Sequence, residues 1–260
     1  WTVNSVEVSK KFRIYQMNLL ISIKEGRKKL TWNDTIEILA LLSIMIMCFL
    51  CPYSTFTTSE WIKVLDSNPY KVTNPILTSS LTTSLYEATH NFSLGLNSKF
   101  TNNNESDELW EKANRIFNNM KEDAHQDISV DPCIVDDITV LNSEIKPLGC
   151  SPLKAKKDFI KVHLKGKKSI NQFYEKGGPR KALAFLNIAD TIESFFIDLE
   201  YDGIYRSWPI LKNKIATDEG SLPLMVLTFS HFLKLEQFVC EIANEYESRP
   251  SPGSYTTATD

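Results

Sequence analysis

An uncharged stretch from Ile38 to Ser59 constrains this chain more than any other feature, because it is long enough to raise the question of a membrane span. Spanning a bilayer takes about 20 consecutive apolar residues. Here only Ile38 to Tyr53 is strongly apolar, and Ser54 to Ser59 is rich in hydroxyls. The stretch therefore predicts a buried core element in preference to a membrane span. Leu, Met and Ala within Ile36–Leu50 favour a helix over a hidden strand pair. A helix apolar on nearly every side must be covered on nearly every side, which places this run at the centre of the fold.

The remaining pattern also reads as helical. Val8, Phe12, Tyr15, Leu19 and Ile23 recur at three- and four-residue steps between Val6 and Glu25, ending at Gly26. Further helices are predicted over Ser59–Leu65, Leu77–Phe92 and Glu108–Asp123. Gly177-Gly178-Pro179 reads as the start of a long helix to Tyr201, with Asp202-Gly203 as its stop. Another helix is expected from Leu222 to Tyr246, and a short strand within Ile134–Ile145. The fold class expected is all-α: a single helical domain with a central buried apolar helix over residues 1–248. A mobile loop is expected at about 97–107, charged segments over 122–168, and a disordered tail over 249–260.

The two charged segments are opposite in sign. Glu122 to Asp137 holds six acids and no bases, whereas Lys154 to Lys168 holds seven lysines and one acid. They read as segments paired across a surface, as a basic patch for nucleic acid or anionic lipid, or, as is commonest for such runs, as solvated helix faces and loops. The formal net charge of −3 gives the whole surface no attraction for nucleic acid. Five scattered cysteines in a chain of 260 residues point to a reducing compartment. The Asn-x-Ser/Thr sequons at Asn33, Asn91 and Asn104 read as chance matches in an Asn- and Ser-rich chain.

No catalytic constellation is visible. Cys48 and Cys51 have no second pair at zinc spacing, and His90, His125, His163 and His231 are scattered. Lys176-Gly177-Gly178-Pro179-Arg180 is a poor phosphate loop because proline removes an amide donor. The expectation is a protein that is not an enzyme, without metal or resident cofactor. Met45, Phe49, Trp61, Trp208, Met225, Phe229 and Phe232 are large, deformable apolar side chains able to line a pocket for an apolar ligand.

Three places resemble the carboxy-terminal regulatory region of fungal binuclear zinc-cluster transcription factors, especially the yeast sterol-responsive regulators. Tyr15-Gln16-Met17-Asn18-Leu19-Leu20, with Asn33-Asp34-Thr35 and Ala40-Leu41-Leu42-Ser43-Ile44, is similar to that family's early helices. Ser59-Glu60-Trp61-Ile62-Lys63-Val64-Leu65 looks like its tryptophan-bearing helix. Trp208-Pro209-Ile210 and Leu222-Pro223-Leu224-Met225-Val226-Leu227 resemble its Trp-Pro segment and final apolar helix. The resemblance implies an all-helical, ligand-responsive domain that binds an apolar molecule such as a sterol. It would control transcription through DNA contacts made by a region outside this chain. Implied partners are proteins of the transcription or stress-response machinery, with a homodimer as a further assembly, in cytoplasm and nucleus. The competing readings are a helical interaction scaffold without a ligand and a membrane-associated protein inserting Ile38 to Tyr53.

Overall fold

The stretch from Lys181 to Lys214 decides the architecture, and it is not helical. In the computed structural model, which describes residues 1–72, 77–96, 111–113, 133–147, 149–201 and 203–249, it forms three antiparallel strands: β7 (Lys181–Ile188), β8 (Thr191–Tyr201) and β9 (Ile204–Lys214). The predicted helix from Pro179 to Tyr201 is thus a hairpin, and the all-α expectation is overturned. Both faces of these strands are covered. Leu183 and Phe185 enter one apolar cluster while Ala182 and Ala184 enter another. A strand buried on both faces reads as a continuous apolar run, without the alternation that would distinguish it from a helix.

Gly177-Gly178 closes a helix instead of opening one. The helix preceding it is closed by a Schellman arrangement, with the Gly178 N–H donating to the Phe173 carbonyl at 2.8 Å and the Gly177 N–H to the Tyr174 carbonyl at 3.0 Å. Gly177 has φ +69°, the left-handed conformation that glycine adopts without strain.

The central apolar run is also divided. It contributes helix α2 (Thr35–Leu41) and strand β3 (Ile44–Ile46), with Ser43 at φ 61° turning the chain between them. No single buried helix runs through Ile36–Leu50. The β-branched pair Ile44 and Ile46 joins β3 to β9 in parallel, with Ile44 opposite Tyr205 and Ile46 opposite Ser207. No helix of the described residues is long and apolar enough to cross a membrane.

Strand β6 (Leu141–Lys146) completes a five-stranded mixed sheet of order β3-β9-β8-β7-β6. It runs parallel to β7, the two being joined by the lysine-rich helix, here α5 (Pro152–Glu175). Two small hairpins stand apart from this sheet: β1 (Thr2–Val3) with β2 (Val6–Glu7), and β4 (Ile134–Val135) with β5 (Ile138–Thr139). Helix α5 and α2 cover one face of the sheet through Leu39, Ile160, Val162 and Ile170. The other face carries α1 (Val8–Lys24), α3 (Thr58–Asp66) and α6 (Met225–Glu247), which supply Phe12, Trp61, Leu235 and Phe238 to the larger cluster. Helix α4 (Ser79–Ser93) packs against the start of α6 in a third, smaller cluster. The predicted loop at 97–107, most of the predicted helix Glu108–Asp123, and residues 250–260 lie outside the described residues.

Candidate functional site

A cleft of about 420 Å3 opens between α2, the first turns of α5 and the sheet. Its apolar lining comes from Ile36 on α2, Phe159 on α5, and Leu186 and Ile188 at the end of β7. Alternation along β7 turns Leu186 and Ile188 toward the α5 side, as it does Ala182 and Ala184. The β7–β8 turn beside it passes through Ala189 at φ 57°, a left-handed conformation in a residue with a Cβ.

Polar groups stand around this apolar floor. Lys156 lines the cleft and donates to Asn33 Oδ1 at 3.1 Å, and Lys212 reaches in from β9 and pairs with Glu193 on β8. Thr35 and Thr191 add hydroxyls. Two ammonium groups against one carboxylate leave the lining with an excess of positive charge. The N-terminal end of α5, capped by the Ser151 hydroxyl accepting from the Lys154 N–H at 3.3 Å, adds its positive dipole end nearby. The arrangement suits an apolar body carrying an anionic head.

Two buried serine–histidine pairs invite a catalytic reading, and their chemistry argues against it. On the α6 side of the sheet, His231 Nε2 lies 2.7 Å from Ser194 Oγ. Its Nδ1 lies 3.4 Å from Asn213 Nδ2, an amide that also donates to the Leu227 carbonyl. A donor facing Nδ1 places the ring proton on Nε2, so the imidazole gives a hydrogen bond to the serine and cannot take its proton. On the α5 side, His163 Nδ1 donates to the Phe159 carbonyl at 2.7 Å, and Nε2 accepts from Ser207 Oγ at 2.9 Å. That tautomer is competent as a base, but both His163 and Ser207 are 0% exposed, as are Ser194 and His231. Burial lowers both imidazoles to about 4 and keeps them neutral. They pin α5 and α6 to opposite faces of one sheet.

No family model, curated protein or solved structure matches this chain. The mixed fold also departs from the all-helical domain implied by the resemblance to zinc-cluster regulators, and nothing in it supports the transcription-factor or sterol expectations.

The seven apolar side chains proposed from sequence do not meet in one site. Met45, Trp61 and Trp208 are buried in the larger cluster, with Phe232 packed against it. The Trp61 indole N–H donates to the Cys48 carbonyl at 2.9 Å. Phe229 belongs to the cluster between α4 and α6, Met225 begins α6, and Phe49 is 89% exposed in a loop. None of them lines the cleft. Among the described residues no group of histidine, cysteine and acid side chains is arranged to hold a metal. Burial raises the Cys48 and Cys51 thiols, which therefore stay protonated. The residues that do line the cleft were obscured in the sequence because Leu186 and Ile188 read as helix, and the face of a strand cannot be assigned before the strand is recognised.

Proposed function

We propose that this chain is a ligand-binding regulatory module, which holds a small amphipathic molecule with an anionic head in the cleft between α2, α5 and the sheet. The observation that carries this reading is the apolar floor of Ile36, Phe159, Leu186 and Ile188 set beside Lys156 and Lys212. Its volume falls within the usual range for small-molecule sites, and a few polar groups around an apolar lining is their usual chemistry. Because α2 forms one wall and leads directly into β3, an occupant would favour one packing of α2 against α5 and so bias a surface read by a partner.

Dodecanoate and dodecanol test this reading, since they differ in the anionic head. Dodecanoate near 100 times its Kd should raise Tm by about 5–10 °C, and dodecanol by much less. Leu186→Trp, which fills the floor, should abolish the effect while the variant remains folded by circular dichroism. Equal stabilisation by both compounds, or stabilisation untouched by Leu186→Trp, would show that the cleft is not the site.

A further inference from the structure

The two edges of the main sheet are finished differently. Strand β3 is three residues long, and its outward backbone is capped at Ile46: the Tyr53 hydroxyl accepts from the Ile46 N–H at 2.7 Å and donates to the Ile46 carbonyl at 3.3 Å. Strand β6, at the opposite edge, is six residues long. Its register with β7 determines which backbone groups are free. Leu183 N–H donates to the Val140 carbonyl and Ala189 N–H to the Lys146 carbonyl. With Leu141 opposite Leu183 in parallel pairing, the even-numbered residues of β6 face β7. The N–H and C=O groups of Leu141, Ser143 and Ile145 consequently point outward, and among the described residues no strand lies beside them.

A groove of about 320 Å3 follows this edge, between Leu141-Asn142-Ser143 and the C-terminal half of α5, where Lys165, Lys168 and Gln172 face it. Asn142 and Ser169 form its floor, the Asn142 amide donating to Ser169 Oγ at 3.1 Å. The charge along this flank is positive. Lys146, Lys161, Lys165 and Lys168 stand against Glu144 and Asp158, and Glu144 is already engaged by Lys161 at 2.6 Å and Lys165 at 2.7 Å. Lys168 is exposed beside the groove.

We propose that the free edge of β6 docks an extended acidic peptide from a partner protein as a sixth strand. Its backbone would pair with Leu141, Ser143 and Ile145, and its acidic side chains would lie toward the lysines of α5. Strand addition supplies backbone hydrogen bonds in register, and side chains on one face of the added strand give specificity. The ammonium groups on α5 select against a basic strand in the same place. This site lies at the β6 edge and does not depend on a ligand in the cleft.

Fluorescence polarisation with a labelled (Glu-Val)5 peptide and the full chain tests the proposal. The peptide should bind at least tenfold more tightly than (Lys-Val)5, and Lys168→Glu should weaken it about fivefold. N-methylation of every Glu residue or of every Val residue blocks one side of the peptide backbone. One of these peptides should lose binding and the other keep it, a result that needs no change to the protein. Hydrogen exchange over Leu141–Ile145 should slow in the complex. Equal binding by both N-methylated peptides would overturn strand addition, and equal affinity for (Lys-Val)5 would overturn the acidic partner. Self-association of the chain that protects the same amides and excludes the peptide would assign the edge to a second copy.

Discussion

Arg206 illustrates how this chain buries charge. It is 3% exposed on β9, with Nε donating to Asp198 Oδ1 at 2.6 Å and Nη2 to Asp198 Oδ2 at 2.8 Å. The guanidinium also lies 4.9 Å from the rings of both Trp1 and Tyr201 and 5.6 Å from Trp208. Burial raises the Asp198 carboxyl, against the pull of Arg206, while the Tyr70 hydroxyl donates to its Oδ2 at 2.7 Å. Removing one member of such a pair leaves the other charged and unpaired in a dry site. Arg206→Met should therefore cost about 3–5 kcal/mol in urea unfolding. The double variant Asp198→Asn with Arg206→Met should recover much of that loss. Simple additivity of the two single variants would show that the pair is not energetically coupled.

At the scale of elements, the junction between α5 and α6 depends on one missing side chain. A Cβ on Gly178 would sit 2.7 Å from Tyr246 Cδ2 and 3.2 Å from the Phe173 carbonyl oxygen, a rigid ring and a backbone atom. Gly178→Ala should destabilise by about 1–3 kcal/mol, read as a lower urea midpoint at an unchanged m-value. The same segment shows what was legible in the sequence. Gly177-Gly178-Pro179 reads in the sequence as a helix start and is instead a helix end: glycine marks helix ends more often than starts, and the Schellman bonds to Phe173 and Tyr174 close the helix there. Helices α1, α3 and α6 were legible because each buries one stripe and leaves the other in water. Strands β7 and β8 were not, because in Ala182–Leu186 of β7 and Phe195–Ile197 of β8 the residues that alternate with the core positions of one face are apolar too. The cleft was lost with them, since half of its floor is β7. The pairing of Ser194 with His231 and of Ser207 with His163 arises from tertiary packing and has no local signature.

For the molecule as a whole, those two histidines set a limit in acid. Each is held near 4 by burial, below its ordinary value of 6.5. Between these values the unfolded chain binds protons that the folded chain refuses, so stability falls as pH drops below 6.5, and the full penalty is reached near 4. The loss is up to about 3 kcal/mol for each histidine. Glu144, lowered to about 2 by its lysine partners, titrates later and does not obscure this window. Urea midpoints measured from pH 7 to 4.5 should decline, and the decline should flatten in the double variant His163→Gln with His231→Gln. A flat profile in the unsubstituted protein would show that the imidazoles are not buried as neutral groups.

The parallel pairing of β3 with β9 has a consequence for synthesis. Ile44 meets Tyr205, so the partners are separated by roughly 160 residues. A ribosome adding 5–20 residues per second needs roughly 8–30 s to supply the second after the first. For that interval the uncharged stretch around Ile44-Met45-Ile46 has emerged with no strand to join. For that time an apolar strand waits without its partner, the condition under which transiently exposed strand edges favour association between chains.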